Sequence, residues 1–261
     1  MQKKARPENS NTSWQSVERW YDEHVGTDGH YYHQKIVVPG VLRLLKIEDS
    51  KATGALLDLA CGQGVLSRHI PPQMGYTGID IASGLIAAAK KHSQNPAHKF
   101  ISADITKSLP LQNNEFTHAA TILALQNIEH PLNAFKNAYK HLGPQGVYVI
   151  VLNHPCFRIP RQSSWKVDLE NNTQFRRIDR YMSPMKIPIQ AHPSKGASSA
   201  STLSFHYPLS AYIQWLNACG FVLESMEEWC SDKTSIGKNA KMENRCREEF
   251  PLFLALKAKK I

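Results

Sequence analysis

The stretch Leu56-Leu57-Asp58-Leu59-Ala60-Cys61-Gly62-Gln63-Gly64 decides how this chain is read. An apolar run ends on an acid, passes into a glycine-spaced bend, and continues as the amphipathic run Val65 to Ile70. That order predicts strand, tight loop, helix. Glycine suits the bend because it adopts backbone angles that other residues resist and lets a ligand approach the main chain closely. A second acid, Asp80, closes the next apolar run, Tyr76-Thr77-Gly78-Ile79, 22 positions after Asp58. A spacing of about 20 residues is that of a nucleotide-binding βαβ unit, so the expected ligand carries an adenosine.

Two adenosine ligands fit. Gly62-x-Gly64-x-x-Ser67 has serine where the dinucleotide fingerprint has its third glycine. That fingerprint serves a pyrophosphate resting on a helix N-terminus. S-adenosylmethionine has no phosphate, and its ammonium needs an acceptor or an anion nearby, which Asp58 can help supply. Each acid also has a plainer role, because a strand-end aspartate can cap the next helix by accepting a backbone N–H bond. Asp80 is the strongest single candidate, since a carboxylate accepting from two vicinal hydroxyls makes charge-assisted bonds.

The first stretch resembles the first motif of class I S-adenosylmethionine-dependent methyltransferases, a Rossmann-like transferase family, and the resemblance continues downstream in the family's order. Gly78-Ile79-Asp80-Ile81-Ala82 resembles the second strand, whose acid holds the ribose hydroxyls. Ser102-Ala103-Asp104-Ile105 resembles the end of the third, which meets the adenine amino group. Phe116 to Gln126 with Asn127-Ile128-Glu129-His130-Pro131 resembles the fourth strand and its loop. Leu142-Gly143-Pro144-Gln145-Gly146 and Val147 to Val151 resemble the turn and fifth strand. The resemblance implies S-adenosyl-L-methionine as cofactor, with S-adenosyl-L-homocysteine as product. It places Asp58, Ala60, Cys61, Gly62, Gly64, Asp80, Ile81, Asp104, Ile105, Leu125 and Gln126 around the cofactor, with Tyr31 as a lid contact.

The alternation of strands and helices from residue 55 onward implies an α/β fold with a doubly wound, mostly parallel sheet and helices on both faces. Within the family that sheet has seven strands, the last antiparallel and inserted beside the one before it. The ligand is expected at the carboxyl ends of the strands. Residues 1–50 read as an N-terminal helical lid, 51–152 as the S-adenosylmethionine-binding core, and 153–204 as a substrate cap after the fifth strand. Residues 205–261 complete the same sheet, within a single domain overall. Helices are expected from Ser13 to Asp22, from Gln34 to Leu45 with an interruption near Pro39, from Ser83 (as cap) to Lys91, from Pro131 to His141 and from the opening Pro208-Leu209-Ser210 through Ala218. Asn113-Asn114 reads as a turn and Ala191 to Ser201 as a mobile loop. Strands are expected at Phe221 to Trp229 and Phe250 to Ala258.

Composition narrows the function classes. The 261 residues carry 31 basic and 22 acidic side chains, a net charge of +9. The positive charge is scattered rather than striped with aromatics, so nucleic acid is a possible but not favoured partner. No segment approaches the roughly 20 apolar residues of a membrane span, and the basic N-terminus has no apolar signal region behind it. Five dispersed cysteines without a C-x-x-C pair suit a reduced, cytoplasmic protein with no structural metal. His30-x-x-His33 lacks a third ligand in the sequence. Oligomeric state is not encoded in these patterns.

Methyl transfer requires alignment of nucleophile, methyl and sulfur and exclusion of water, and a base only when the acceptor must lose a proton. Candidate acceptor contacts are Tyr32 and His33 in the lid and Asn153, Arg158, Arg161 and Trp165 after the fifth strand. His154 is the first candidate general base and His206 the second, because imidazole titrates near neutral pH. The expected function is methyl transfer to a small organic O- or N-nucleophile. The alternatives are an RNA or other nucleic-acid methyltransferase, a non-catalytic S-adenosylmethionine-binding protein and, weakest, a nicotinamide oxidoreductase.

Overall fold

The computed structural model describes residues 29–112, 115–190 and 201–261, without the side chain of Ser201. The expected helix Ser13 to Asp22, the turn Asn113-Asn114 and the loop 191–200 lie outside the described residues, as does most of the expected lid.

Seven strands form one sheet in the order β3-β2-β1-β4-β5-β11-β10. They are β1 (Ala55–Leu59), β2 (Gly75–Asp80), β3 (Lys99–Ser102), β4 (Phe116–Ile122), β5 (Leu142–Asn153), β10 (Phe221–Trp229) and β11 (Phe253–Lys260). β1 to β5 pair in parallel, and β11 runs antiparallel to both β5 and β10. This is the doubly wound, mostly parallel architecture expected, with its last strand reversed.

Strand alternation divides the core into two layers. Leu56, Tyr76, Phe100, Val149 and Val151 face one side, where Val37 to Leu45 and the helix Ser83–His92 cover them. Leu57, Leu59, Ile79, Tyr148 and Ile150 face the other, under Phe135 and Ala138 of the helix Pro131–His141 and Leu216 of the helix Leu209–Ala218. Val37, Val41 and Leu45 are at most 1 % exposed, so the helix they occupy is part of the sheet's packing.

Local departures from the expected pattern have physical causes. Val65 to Ile70 forms one 3-10 turn, Leu66–Arg68, rather than a helix. Left-handed Gly64 opens the segment and Pro71-Pro72 ends it, which leaves too few residues to offset the cost of helix nucleation. The helix at Ser83 has Ala82 at its cap position, and its cap comes from behind: Asp80 Oδ1 accepts the Ala82 N–H at 2.9 Å. His33–Val37 form a π-turn that runs into the helix Val38–Leu45, which places Pro39 in the first helical turn, where no N–H is needed. The expected turn Leu142–Gly146 lies inside β5 as an irregularity: Leu142 pairs with Phe116, Val147 pairs with His118, and Gln145 takes a φ of 64°.

Between β5 and the helix Leu209–Ala218 the chain forms two antiparallel hairpins outside the main sheet. One joins β6 (Ser163–Asp168) to β7 (Thr173–Ile178), the other β8 (Met185–Gln190) to β9 (Ser201–His206). Among the described residues no helix is long and apolar enough to cross a membrane.

Candidate functional site

The acids arrive where the parallel strands end. Asp58 is the penultimate residue of β1, Asp80 the last of β2, and Asp104 lies two residues past β3. A cavity of about 520 Å3 opens at these ends, within the usual range for a small-molecule site.

The bend after β1 is drawn over the tip of β2. Ala60, Gly62 and Gly64 all have positive φ, at 63°, 56° and 73°. The Cys61 N–H donates to Ile79 O and the Gly62 N–H donates to Asp80 Oδ2, both at 2.9 Å. A Cβ on Gly64 would come within 3.0 Å of the Phe100 ring and 3.2 Å of Ala89, so glycine is required there for packing as well as for φ. Asp80 is 7 % exposed. Burial pushes its carboxyl up, against the pull of the Ala82 and Gly62 N–H groups. Ala82 donates to its Oδ1 and Gly62 to its Oδ2, and a carboxylate has acceptor sites beyond these, which suits two adjacent hydroxyls.

Asp58 is 2 % exposed, and its Oδ2 accepts the Tyr76 hydroxyl at 2.7 Å. Its Oδ1 is buried with no partner among the described residues. Burial pushes this carboxyl up to about 7, with Asp80 adding repulsion, against the Tyr76 hydrogen bond. An orphaned buried carboxylate oxygen beside a glycine bend fits a ligand that brings its own cation. Asp104 performs the plainer task of closing a turn. Its Oδ1 accepts from Thr106 N at 2.9 Å and Thr106 Oγ1 at 2.7 Å, while the residue also lines the cavity.

Of the residues singled out in the sequence, Asp58, Ala60, Cys61, Gly62, Asp80, Ile81, Asp104, Ile105 and Gln126 meet in this one cavity, joined by His33 and Asn153. Gly64 and Leu125 stand behind it, Leu125 fully buried. Gln126 donates from Nε2 to Leu123 O at 2.6 Å, and Leu123 itself takes a positive φ of 52°. His33 projects from the π-turn. Burial lowers its imidazole to about 4, helped by the His30 charge, so the ring is neutral at pH 7. Its Nδ1 is buried without a partner. The same cavity is also lined by the apolar side chains of Val38, Ile122, Pro160 and Ile189, with Thr202 and Ser204 from β9.

The remaining candidates are not brought into the cavity. The Tyr31 hydroxyl donates to Asp232 Oδ2 at 2.9 Å, the Tyr32 hydroxyl bonds Ser231 Oγ at 3.0 Å, and Lys233 Nζ lies 4.5 and 5.0 Å from their ring centres. These contacts fasten the N-terminal helix to the segment after β10. His154 is 1 % exposed with both ring nitrogens engaged. The Cys156 N–H donates to Nδ1 at 3.2 Å, which leaves the proton on Nε2 to donate to Glu228 Oε1 at 2.6 Å. Burial lowers its pKa, only partly offset by Glu228. His206 donates from Nε2 to Tyr181 O at 2.7 Å and is likewise lowered by burial. With Arg158 it lines a small crevice of about 30 Å3 that shares Ser204 and Asn153 with the main cavity. Arg161 takes a φ of 61° on the surface. Trp165 packs edge-on against Phe250, with the Arg176 guanidinium 5.1 Å from its ring.

Sequence reasoning missed Ile189 and Thr202, which meet only because β8 pairs with β9. It quoted the loop Asn127 to His130 without assigning it a role, although the rule that ligands sit past parallel strand ends would have found it. The loop lines the cavity. It also anchors the second hairpin: Tyr207 donates to Glu129 O at 2.5 Å, and Lys186 Nζ lies 3.5 Å from Glu129 Oε1.

Comparison with known proteins agrees with this geometry. Residues 57–150 match the family model described as a methyltransferase domain. A demethylmenaquinone methyltransferase of Chlamydia trachomatis serovar D is 31 % identical over 108 residues, covering 40 % of this chain and 47 % of that protein. The chain thus spans about half the length of the curated relatives it matches. Among solved structures, an S-adenosylmethionine-dependent methyltransferase from Mesorhizobium loti has a TM-score of 0.67 at 23 % identity, covering 90 % of this chain and 100 % of that one. A putative S-adenosylmethionine-dependent methyltransferase from Listeria monocytogenes has a TM-score of 0.63 at 22 % identity, covering 84 % and 96 %.

Proposed function

We propose that this chain, whose residues 57–150 match a methyltransferase domain and whose sheet has the fold of solved S-adenosylmethionine-dependent methyltransferases, is a class I S-adenosylmethionine-dependent methyltransferase that methylates a small, largely apolar organic acceptor at an oxygen or nitrogen. One observation carries the reading: the cavity that gathers the three strand-end acids is also lined by apolar side chains and by a neutral imidazole. When bound, S-adenosylmethionine supplies an activated methyl on a good leaving group. In this reading Asp80 accepts from the ribose hydroxyls, Asp104 and Ile105 border the adenine, and Asp58 faces the ammonium. The chain spends no strong base on the reaction; it aligns and dries the reacting atoms.

At the acceptor end, Val38, Ile122 and Ile189 exclude water, and Asn153 and Ser204 offer hydrogen bonds. His33 is the imidazole positioned to accept a proton from an acidic hydroxyl. His154 and His206 shape this end from outside the cavity lining, one by fixing the segment after β5 to Glu228, the other by tying β9 to Tyr181. The demethylmenaquinone methyltransferases among the relatives support a small organic molecule as acceptor. The lack of helical structure in the glycine bend disfavours a pyrophosphate ligand, because that ligand depends on a helix N-terminus.

The test is transfer of radiolabelled methyl from S-adenosylmethionine into a cell extract that is then split into small molecules, RNA and protein. Label in the organic-soluble fraction supports the reading. Label confined to RNA replaces it with a nucleic-acid methyltransferase, and absence of label despite cofactor binding leaves a binding protein.

A further inference from the structure

We propose that Tyr76 is a positioning residue that commits one oxygen of Asp58 and leaves the other for the ligand's ammonium, so that ligand uptake is coupled to release of a proton from the Asp58 carboxyl. The inference rests on the cofactor reading above and adds a regulation of that same site.

The geometry comes from the β1–β2 register. Asp58 pairs with Gly78, and Tyr76 lies two residues earlier on the same face of the sheet. Gly78 has no side chain to fill the space between them. A Cβ there would come within 2.8 Å of Cys61 Sγ and 3.0 Å of the Tyr76 ring. The ring therefore leans along the strand, and its hydroxyl donates to Asp58 Oδ2 at 2.7 Å. Both residues are 2 % exposed. The second oxygen, Oδ1, is buried and unpartnered among the described residues, in a carboxyl that lines the cavity.

The neighbours of this carboxyl leave its charge unbalanced. Asp80 at the end of β2, Cys61 in the bend and Tyr148 on β5 all act on it or feel it, and none is a cation. The positive charge of Arg68 bears on Tyr76. Burial therefore favours the protonated carboxyl, held up to about 7. An ammonium arriving at Oδ1 reverses the preference, because an opposite charge within a few ångströms favours the ionised form. The carboxyl proton then passes to solvent, and no other bond changes.

Two probes separate this from the cofactor reading. S-adenosylhomocysteine carries the α-ammonium; 5′-methylthioadenosine keeps the nucleoside thioether and lacks the amino-acid portion. Calorimetric titration of the whole chain in buffers of different ionisation enthalpy counts the protons exchanged. At pH 6.5 the ligand ammonium is fully charged, since a free amino acid's α-amino group titrates well above that pH. There, S-adenosylhomocysteine is expected to release between half a proton and one, and methylthioadenosine none. At pH 8.5 the release disappears, because Asp58 is already ionised. Tyr76→Phe removes the donor that favours the carboxylate, so release persists to higher pH, and S-adenosylhomocysteine affinity falls about tenfold while methylthioadenosine affinity holds. Asp58→Asn abolishes release and retains methylthioadenosine binding, which keeps the test decisive if the tyrosine variant does not fold. Equal proton counts for the two ligands, or an equal loss of both affinities in Tyr76→Phe, overturns the inference and leaves the cofactor reading standing. Failure of the wild-type chain to bind either ligand overturns both.

Discussion

The two halves of the cavity are built differently. Around the strand tips, residues 55–106, each acid finds its partners within about 20 positions: Gly62 and Ala82 for Asp80, Tyr76 for Asp58, Thr106 for Asp104. After β5 the contacts are long-range. His154 meets Glu228 across 74 positions, Tyr207 meets Glu129 across 78, and farther out Tyr31 reaches Asp232 across 201. The contrast teaches that the ligand grip is a local property of successive strand–loop units. The rest of the cavity lining is held by contacts between segments far apart in the chain.

Substitutions that act on one half and spare the other test this division. Asp80→Ala should have the largest effect. It removes the ribose acceptor and also leaves the Gly62 and Ala82 N–H groups without their partner. Calorimetry should show S-adenosylhomocysteine affinity falling on the order of 100-fold, about 3 kcal/mol, as expected for charge-assisted bonds made by a buried carboxylate. His33→Ala should do the reverse, lowering turnover roughly 100-fold or more with cofactor affinity unchanged. A variant that weakens the cofactor instead would move His33 to the other half.

Gly64→Ala should cost about 1–2 kcal/mol of unfolding free energy, from left-handed backbone and the contact with Phe100; a chemical denaturation curve reads it. Ala60→Gly should act in the opposite direction and least of all. Ala60 is an L-residue at a φ of 63°, and relieving that conformation should stabilise the chain by no more than about 1 kcal/mol.

The same two halves should respond to pH with opposite sign. His33 has a folded value of about 4, below its ordinary 6.5, so the unfolded chain binds more protons between those limits. Its contribution to stability is complete above 6.5 and is lost as pH falls towards 4. Asp58 has a folded value of about 7, above its ordinary 3.8. Its contribution is complete below 3.8 and is lost as pH rises through 7. In thermal melts across this range, His33→Asn should remove the acid-side loss and Asp58→Asn the loss on the other side. Melting profiles unchanged by both substitutions would contradict these environments.

The division also explains what could be read from the residues alone. The acids, the glycine bend and the order of the parallel strands were legible because each is written in consecutive positions. The helix expected at Val65 to Ile70 was not formed, because apolar periodicity says nothing about the positive φ of Gly64 or the stop imposed by Pro71-Pro72. The roles expected for His154, Tyr31 and Trp165 followed from their place in the chain. Their partners Glu228, Asp232 and Phe250 lie far along the sequence, and no local signal announces them. His33 is the exception: singled out from the sequence, it lines the cavity, while the π-turn that carries it was not legible.

The account depends most on the strand-tip acids gripping an adenosyl amino acid. Titrating the wild-type chain in a calorimeter with S-adenosylhomocysteine and, separately, with NAD tests this most directly. Saturable binding of S-adenosylhomocysteine with no heat from NAD is the predicted result. Binding of NAD in its place, or no heat from either, would contradict it.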